Sequence, residues 1–264
     1  MKKNTIKYYS QFGQDKFLDQ KIFKGKENGI FVEIGADDGI TNSNTYFFEK
    51  FRNWSGICVE PRKKSFTNLI INRNAICENC CISDVITNKK LKFLEITGEE
   101  EQLSGLLEKY DKRHLDRVKK VIGENNVLKN TIDINCDNLN NLTDRHNIKH
   151  IDYCSIDTEG GELDILKSID FSKISIDIIS VENNFNSKEF ENFLIKKGYV
   201  KIESIVIDDI YVKKNTHYYY YVYTLDYLRK IFNSKIYKLK KEIKKYIPQK
   251  IWNFLKKIIP KNEK

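Results

Sequence analysis

Two stretches of this chain set carboxylates and glycines together where an apolar run gives way to a helix, the local pattern of a ligand loop. In Phe31-Val-Glu33-Ile-Gly35-Ala-Asp37-Asp38-Gly39 the glycines stand four apart. Gly35 is expected to let the backbone approach a ligand where a Cβ would collide, and Gly39 to relieve crowding as the next helix begins. Glu33, at the strand end, can meet a cation or a polar donor. Glu60 closes Ile57-Cys-Val-Glu60, twenty-one residues beyond Gly39, where a carboxylate accepts the two hydroxyls of a ribose. Cys81-Ile82-Ser83-Asp84 ends a third run, so an adenine can lie against Ile82 while Asp84 accepts from its amino group. A dinucleotide needs G-x-G-x-x-G with its pyrophosphate on a helix N-terminus; Asp37 and Asp38 repel that group and tolerate a sulfonium and an ammonium. The loop therefore favours S-adenosylmethionine over NAD, with a turn that binds nothing as a third reading.

The second stretch is Ile151-Asp-Tyr-Cys-Ser-Ile-Asp157-Thr158-Glu159-Gly160-Gly161-Glu162, an apolar strand ending in acids around a glycine pair. A parallel strand candidate ends in Val181-Glu182-Asn183-Asn184. Asp157, Glu182 and Asn183 form an oxygen set suited to Mg2+ or another hard divalent cation, which would bind an acceptor hydroxyl and lower its pKa. Without a metal, Asp157 or Glu159 can serve as general base. A solvated acidic loop is the simpler alternative. Of four histidines, His114 in Tyr110-Asp-Lys-Arg113-His114 is the catalytic candidate, because it falls in an insertion placed to act as a lid.

These residues need a frame. Short β-rich runs at 30–34, 55–59, 75–82, 153–157 and 176–181, with further strands at 90–96 and 131–136, alternate with helical patterns at 45–51, 64–72, 163–169 and 187–198. That alternation is the signature of an α/β fold with a mainly parallel sheet. Segment 97–130 breaks the rhythm as a charged helical insertion. Residues 199–207 and 218–224 are expected to pair as antiparallel strands about a turn at Asp208-Asp209.

Charge is unevenly distributed. Residues 225–264 hold thirteen Lys and Arg against three acids, so of the chain's net +9 the body 1–224 carries −1. A body with no basic stripe is unlike a nucleic-acid enzyme, and no nucleic-acid partner is expected. Six cysteines follow a polar start with no apolar leader, which points to reduced thiols in a cytoplasmic setting. Cys77, Cys80 and Cys81 lack the second Cys/His pair of a zinc site and read as ordinary thiols.

The sequence resembles the FkbM-like methyltransferase family from about Tyr9 to Thr224. Ser10-Gln-Phe-Gly-Gln14-Asp15, the loop at 31–45, Cys58-Val-Glu60-Pro61 and Ser155-Ile-Asp157-Thr-Glu159-Gly160-Gly161-Glu162 carry the likeness. The resemblance implies a Rossmann-like class I methyltransferase fold, with a mainly parallel seven-stranded sheet and helices on both faces. It also implies O-methylation of a sugar, glycan or glycosylated small molecule, and a site that Gln11, Gln14 and Asp15 help to close, placing Gln14 with the cofactor-binding residues. Related sugar methyltransferases hold a metal on acids at these two strand ends; here Asn183 leaves one ligand neutral.

After Thr224, Leu225, Leu228, Phe232, Ile236, Leu239, Ile243 and Ile247 recur at helical spacing among lysines, the pattern of a basic amphipathic helix. The expected division is a methyltransferase domain, 1–224, and a helical tail, 225–264. The tail suits either peripheral contact at the inner membrane surface or packing on protein. A non-catalytic adaptor that keeps the fold and docks on a membrane through this tail is the competing function.

Overall fold

A computed structural model of the chain describes residues 6–85, 89–98, 100–110, 112–124 and 128–224. The chain divides into two units, Met1–Tyr219 and Tyr220–Lys264. The amphipathic pattern at 225–264 lies outside the described residues. Among the described residues no helix is long and apolar enough to cross a membrane.

In chain order the strands are β1 (Ile30–Ile34), β2 (Ser55–Val59), β3 (Ile76–Glu78), β4 (Cys81–Ile82), β5 (Lys89–Thr97), β6 (Gly105–Leu106), β7 (Leu128–Asp137), β8 (His150–Ile156), β9 (Ser175–Glu182), β10 (Tyr199–Ile205) and β11 (Asp208–Lys213). Seven form the main sheet, in the order β10-β11-β9-β8-β1-β2-β3. All run parallel except β11, which is antiparallel to both neighbours. The α/β fold with a mainly parallel seven-stranded sheet is therefore present as expected. The inner strands are apolar on both faces because helices cover both sides, and Val32, Ile34, Ile57, Val59, Ile156, Ile179 and Val181 meet in one core. Strand order reverses between β1 and β8. At such a switch point the loops leaving the strand ends part and open a crevice.

The helix Lys188–Lys196 shows how sequence fixes an element here. Ser187 caps it by accepting from the Glu189 N–H, Phe190 and Leu194 bury one face, and Gly198 ends it at φ 87.

Three expectations are corrected. The run 75–82 is two strands in two sheets: Asn79 breaks it by donating to the Glu60 and Pro61 carbonyls, and Cys81–Ile82 pairs with β7 instead. Strands β5 and β7 leave the main sheet and pair with each other in a second sheet, β4-β7-β5-β6, around Phe93, Leu106, Ile134 and Cys136. The partner of β10 is β11 rather than 218–224. The chain turns at Val206, φ 56, and Asp208 and Asp209 enter the strand because Gln14, Asn183, Ser204 and Lys201 satisfy their carboxylates. Residues 217–224 are helical, and the Tyr218 ring packs on Phe23 with centroids 5.2 Å apart.

Candidate functional site

The crevice is a cavity of about 690 Å³ at the carboxyl ends of β1, β2, β8 and β9, a size suited to a small cofactor plus part of an acceptor. Glu33, Gly35, Asp37, Glu60, Ile82, Asp157, Glu159 and Glu182 all line it. The insertion contributes Glu101, Gln102, Ser104, Leu106 and Arg117 to the same lining, so it forms part of the cavity wall.

Gly35 sits at φ 88, and a Cβ there would fall 1.7 Å from the Asp157 carbonyl oxygen. The atom it would meet belongs to the backbone just past β8, so Gly35 is required by the fold as well as lining the cavity. Gly35 lets the two switch-point loops touch, and the Asp157 N–H donates to the Ile34 carbonyl beside it. Gly39, φ 82, lies outside the lining; a Cβ there would meet Leu69 and Arg73. No helix begins at Gly39, since the next starts at Tyr46.

Glu33 is buried and fully engaged. It accepts from Ser43 Oγ, the Asn44 N–H, Thr45 Oγ1 and Arg73 Nη1. Arg73, which sequence reasoning missed, also donates to the Gly39 carbonyl, Thr45 Oγ1 and Glu49. Together they pin the 39–45 loop to β1. In that loop Asn44 Oδ1 is buried and accepts no hydrogen bond among the described residues, a state that costs roughly 1–3 kcal/mol unless a ligand relieves it.

At the end of β2, Glu60 Oε2 accepts from the Asp37 N–H at 2.9 Å, and Oε1 accepts from Arg62 N–H and Nε at 2.9 and 3.1 Å. A carboxylate has about four lone-pair positions, so one remains on the Oε2 side for a ribose hydroxyl, where the sequence suggested two. Burial raises the Glu60 carboxyl above its ordinary range despite Arg62. Arg62 Nη2 also holds Asp37 at 2.7 Å. Ile82 lines the cavity, while Ser83 and Asp84 do not. Asp84 is engaged by Lys109 Nζ at 2.7 Å, and Lys109 reaches Asp164 at 2.9 Å, which fastens the insertion to the helix Glu162–Ser168. The Lys109 bond holds Asp84 below the ordinary carboxylate range. Gln14 is also outside the lining. Its Nε2 donates to Asp208 at 2.6 Å and its Oε1 accepts from the Phe12 N–H, holding Gln11 and Phe12 at the cavity.

The far edge is acidic. Burial, reinforced by neighbouring carboxylates, pushes Asp157 and Glu182 well above their usual range, and they share a hydrogen bond. Burial brings Glu159 to about 7 against the pull of Arg117. Glu162 accepts from Thr158 Oγ1 and the Gly160 N–H and shapes the loop. His114 is buried, stacks on Tyr110 with centroids 4.7 Å apart, and brings Nε2 to 3.9 Å from Glu159 Oε2. His114 thus stands beside the acidic loop but outside the cavity lining.

Asn183 does not join the acids. Its Oδ1 accepts from the Ser187 N–H at 2.7 Å and its Nδ2 donates to Asp209, so the atom that would bind a metal holds the cap residue of the next helix instead. The oxygen set Asp157, Glu182 and Asn183 does not fit a hard divalent cation as arranged. Among the described residues, three Asp, Glu, His or Cys ligand atoms lie mutually within 4.8 Å at His150, Asp152 and Asp177, on the opposite ends of β8 and β9. Lys26 already pairs with Asp152 there. All six cysteines are free; Cys80, which lines the cavity, is pushed up to about 12 by burial and stays a neutral thiol.

Comparison with known proteins adds to this geometry. The model of the methyltransferase FkbM domain matches residues 33–233. Among solved structures, the chain is similar to a methyltransferase from Pyrococcus furiosus at 14% identity and a TM-score of 0.37, covering 79% of this chain and 88% of that one. No curated protein matches.

Proposed function

The chain belongs to the FkbM methyltransferase family, and from that premise we propose that it transfers a methyl group from S-adenosylmethionine to a hydroxyl of a sugar, glycan or glycosylated small molecule. The observation that carries the reading is one cavity at the switch point with Glu60 on one side and, on its acidic edge, Glu159, whose carboxyl is raised by burial to about 7. When bound, S-adenosylmethionine supplies an electrophilic methyl group on a sulfonium.

The remaining work falls to the chain's own residues. Glu60 takes one ribose hydroxyl on Oε2, and Ile82 gives the adenine an apolar wall. Glu159, half ionised near pH 7, takes the proton from the acceptor hydroxyl as the new bond forms, a contribution of roughly 10²–10⁴ in rate. Asp157 and Glu182, raised well above the ordinary range by burial and by neighbouring carboxylates, share a hydrogen bond and set the acidic edge against which the acceptor lies. His114 packs beside Glu159, and Arg117 moderates its charge. The insertion, as part of the cavity wall, helps to exclude water. Gln11, Asn42, Gln102 and Asn184 make the lining rich in amide groups, which suits an acceptor with many hydroxyls.

The test is transfer of an isotopically labelled methyl group from S-adenosylmethionine to a panel of sugars, nucleotide sugars and lipid-linked glycans, read by mass spectrometry. Label on a glycan hydroxyl is the expected result. Cofactor binding with no transfer to any acceptor, and an unchanged glycan methylation profile in cells lacking the protein, would favour the adaptor.

A further inference from the structure

Asn44 is held at two points. Its backbone N–H donates to Glu33 Oε1 at 2.7 Å and its Nδ2 donates to Ser155 Oγ at 2.9 Å. Ser155 in turn accepts from Ser180 Oγ, which meets the Tyr153 hydroxyl, so the amide rests on a buried chain of hydroxyls. The residue is 6% exposed and lines the cavity, yet its Oδ1 has no hydrogen-bond partner among the described residues. Buried acceptors are paired in folded proteins, and a buried, unpaired one on a residue that lines a cavity is a position suited to a donor from the ligand.

The surroundings define that donor. Asn44 adjoins Glu33 on β1 and Ser155 on β8, in a lining that also holds Glu60 just past β2 and Asp157 just past β8. The cations in the lining are engaged elsewhere: Arg62 with Glu60 and Asp37, and Arg117 in the field of Glu159. An unpaired amide oxygen among carboxyl groups attracts a positively charged donor and repels a carboxylate. With the ribose at Glu60 and the acceptor at Glu159, the amino-acid end of the cofactor is what remains to reach β1.

We infer that Asn44 Oδ1 accepts a hydrogen bond from the α-ammonium group of S-adenosylmethionine. The inference rests on the cofactor reading above and names a residue that fixes the amino-acid end. Because both other polar groups of Asn44 are tied to the protein, its amide is already held in place when the ligand arrives.

Calorimetry on the full chain tests it with three probes: S-adenosylhomocysteine, decarboxylated S-adenosylmethionine, which keeps the ammonium but lacks the carboxylate, and methylthioadenosine, which lacks both. Asn44→Leu is expected to weaken the first two roughly 10- to 100-fold and to leave methylthioadenosine within about twofold. Asn44→Asp, which keeps an acceptor oxygen, is expected to hold both ammonium-bearing probes at wild-type affinity or tighter. Equal loss on all three probes, loss confined to S-adenosylhomocysteine, or no loss overturns the inference while leaving the cofactor reading intact. If Asn44→Leu does not fold, weakened binding of the ammonium-bearing probes by Asn44→Asp overturns it. Wild-type protein that binds none of the three overturns both.

Discussion

Glu159 occupies left-handed backbone at φ 56, a conformation that costs a non-glycine residue roughly 1–3 kcal/mol and is kept where a side chain must be aimed. Its carboxyl rises from 4.5 to about 7. As the base, it predicts a rate that climbs with pH to a plateau above about 7. Glu159→Gln should abolish that limb, lower kcat roughly 10²–10⁴-fold and leave S-adenosylhomocysteine affinity unchanged. A variant with wild-type kcat removes Glu159 from the mechanism. Linkage gives a second readout. A carboxyl raised in the folded state favours folding most fully below about 4.5, and that contribution is lost as pH rises through about 7. The substitution should therefore flatten part of the stability change across this window in ligand-free protein. Glu60, Asp157 and Glu159 were legible in the sequence because each closes an apolar run. Arg73 and Asn44 were not: Arg73 meets Glu33 from 40 positions away, and Asn44 meets Ser155 across 111, with no local pattern to mark either.

At the scale of elements, the junction of β1 and β8 depends on Gly35. Any side chain there must move the Asp157 backbone and adopt φ 88. Gly35→Ala is expected to lower the stability of ligand-free protein by about 3 kcal/mol or more, combining left-handed strain with overpacking. Denaturant unfolding measures it. A change below about 1 kcal/mol would mean that Gly35 serves the ligand alone, as the sequence suggested. The parallel strands were readable from runs buried on both faces. The failures have local causes. Asn79 interrupts an apolar run and sends its second half to another sheet, which carries Asp84 away from the cavity lining and into contact with Lys109. The tyrosines at 218–221 have high strand propensity, but residues 217–224 form helix while Asp208–Lys213, with two acids at its start, takes the place beside β9.

At the scale of the molecule, residues 1–224 carry −1 while residues 225–264 carry +10, so the net +9 says little about the cavity. Every residue lining the cavity falls between Gln11 and Ile207, within the unit Met1–Tyr219. The central claim is that the cavity at the switch point holds S-adenosylmethionine, its acidic edge of Asp157, Glu159 and Glu182 disfavouring a pyrophosphate. Calorimetric titration of the purified full chain, in parallel with S-adenosylmethionine and with NADH, tests it most directly. The account predicts saturable binding of S-adenosylmethionine, displaced by S-adenosylhomocysteine, and no binding of NADH; saturable NADH binding, or no binding of S-adenosylmethionine, would contradict it.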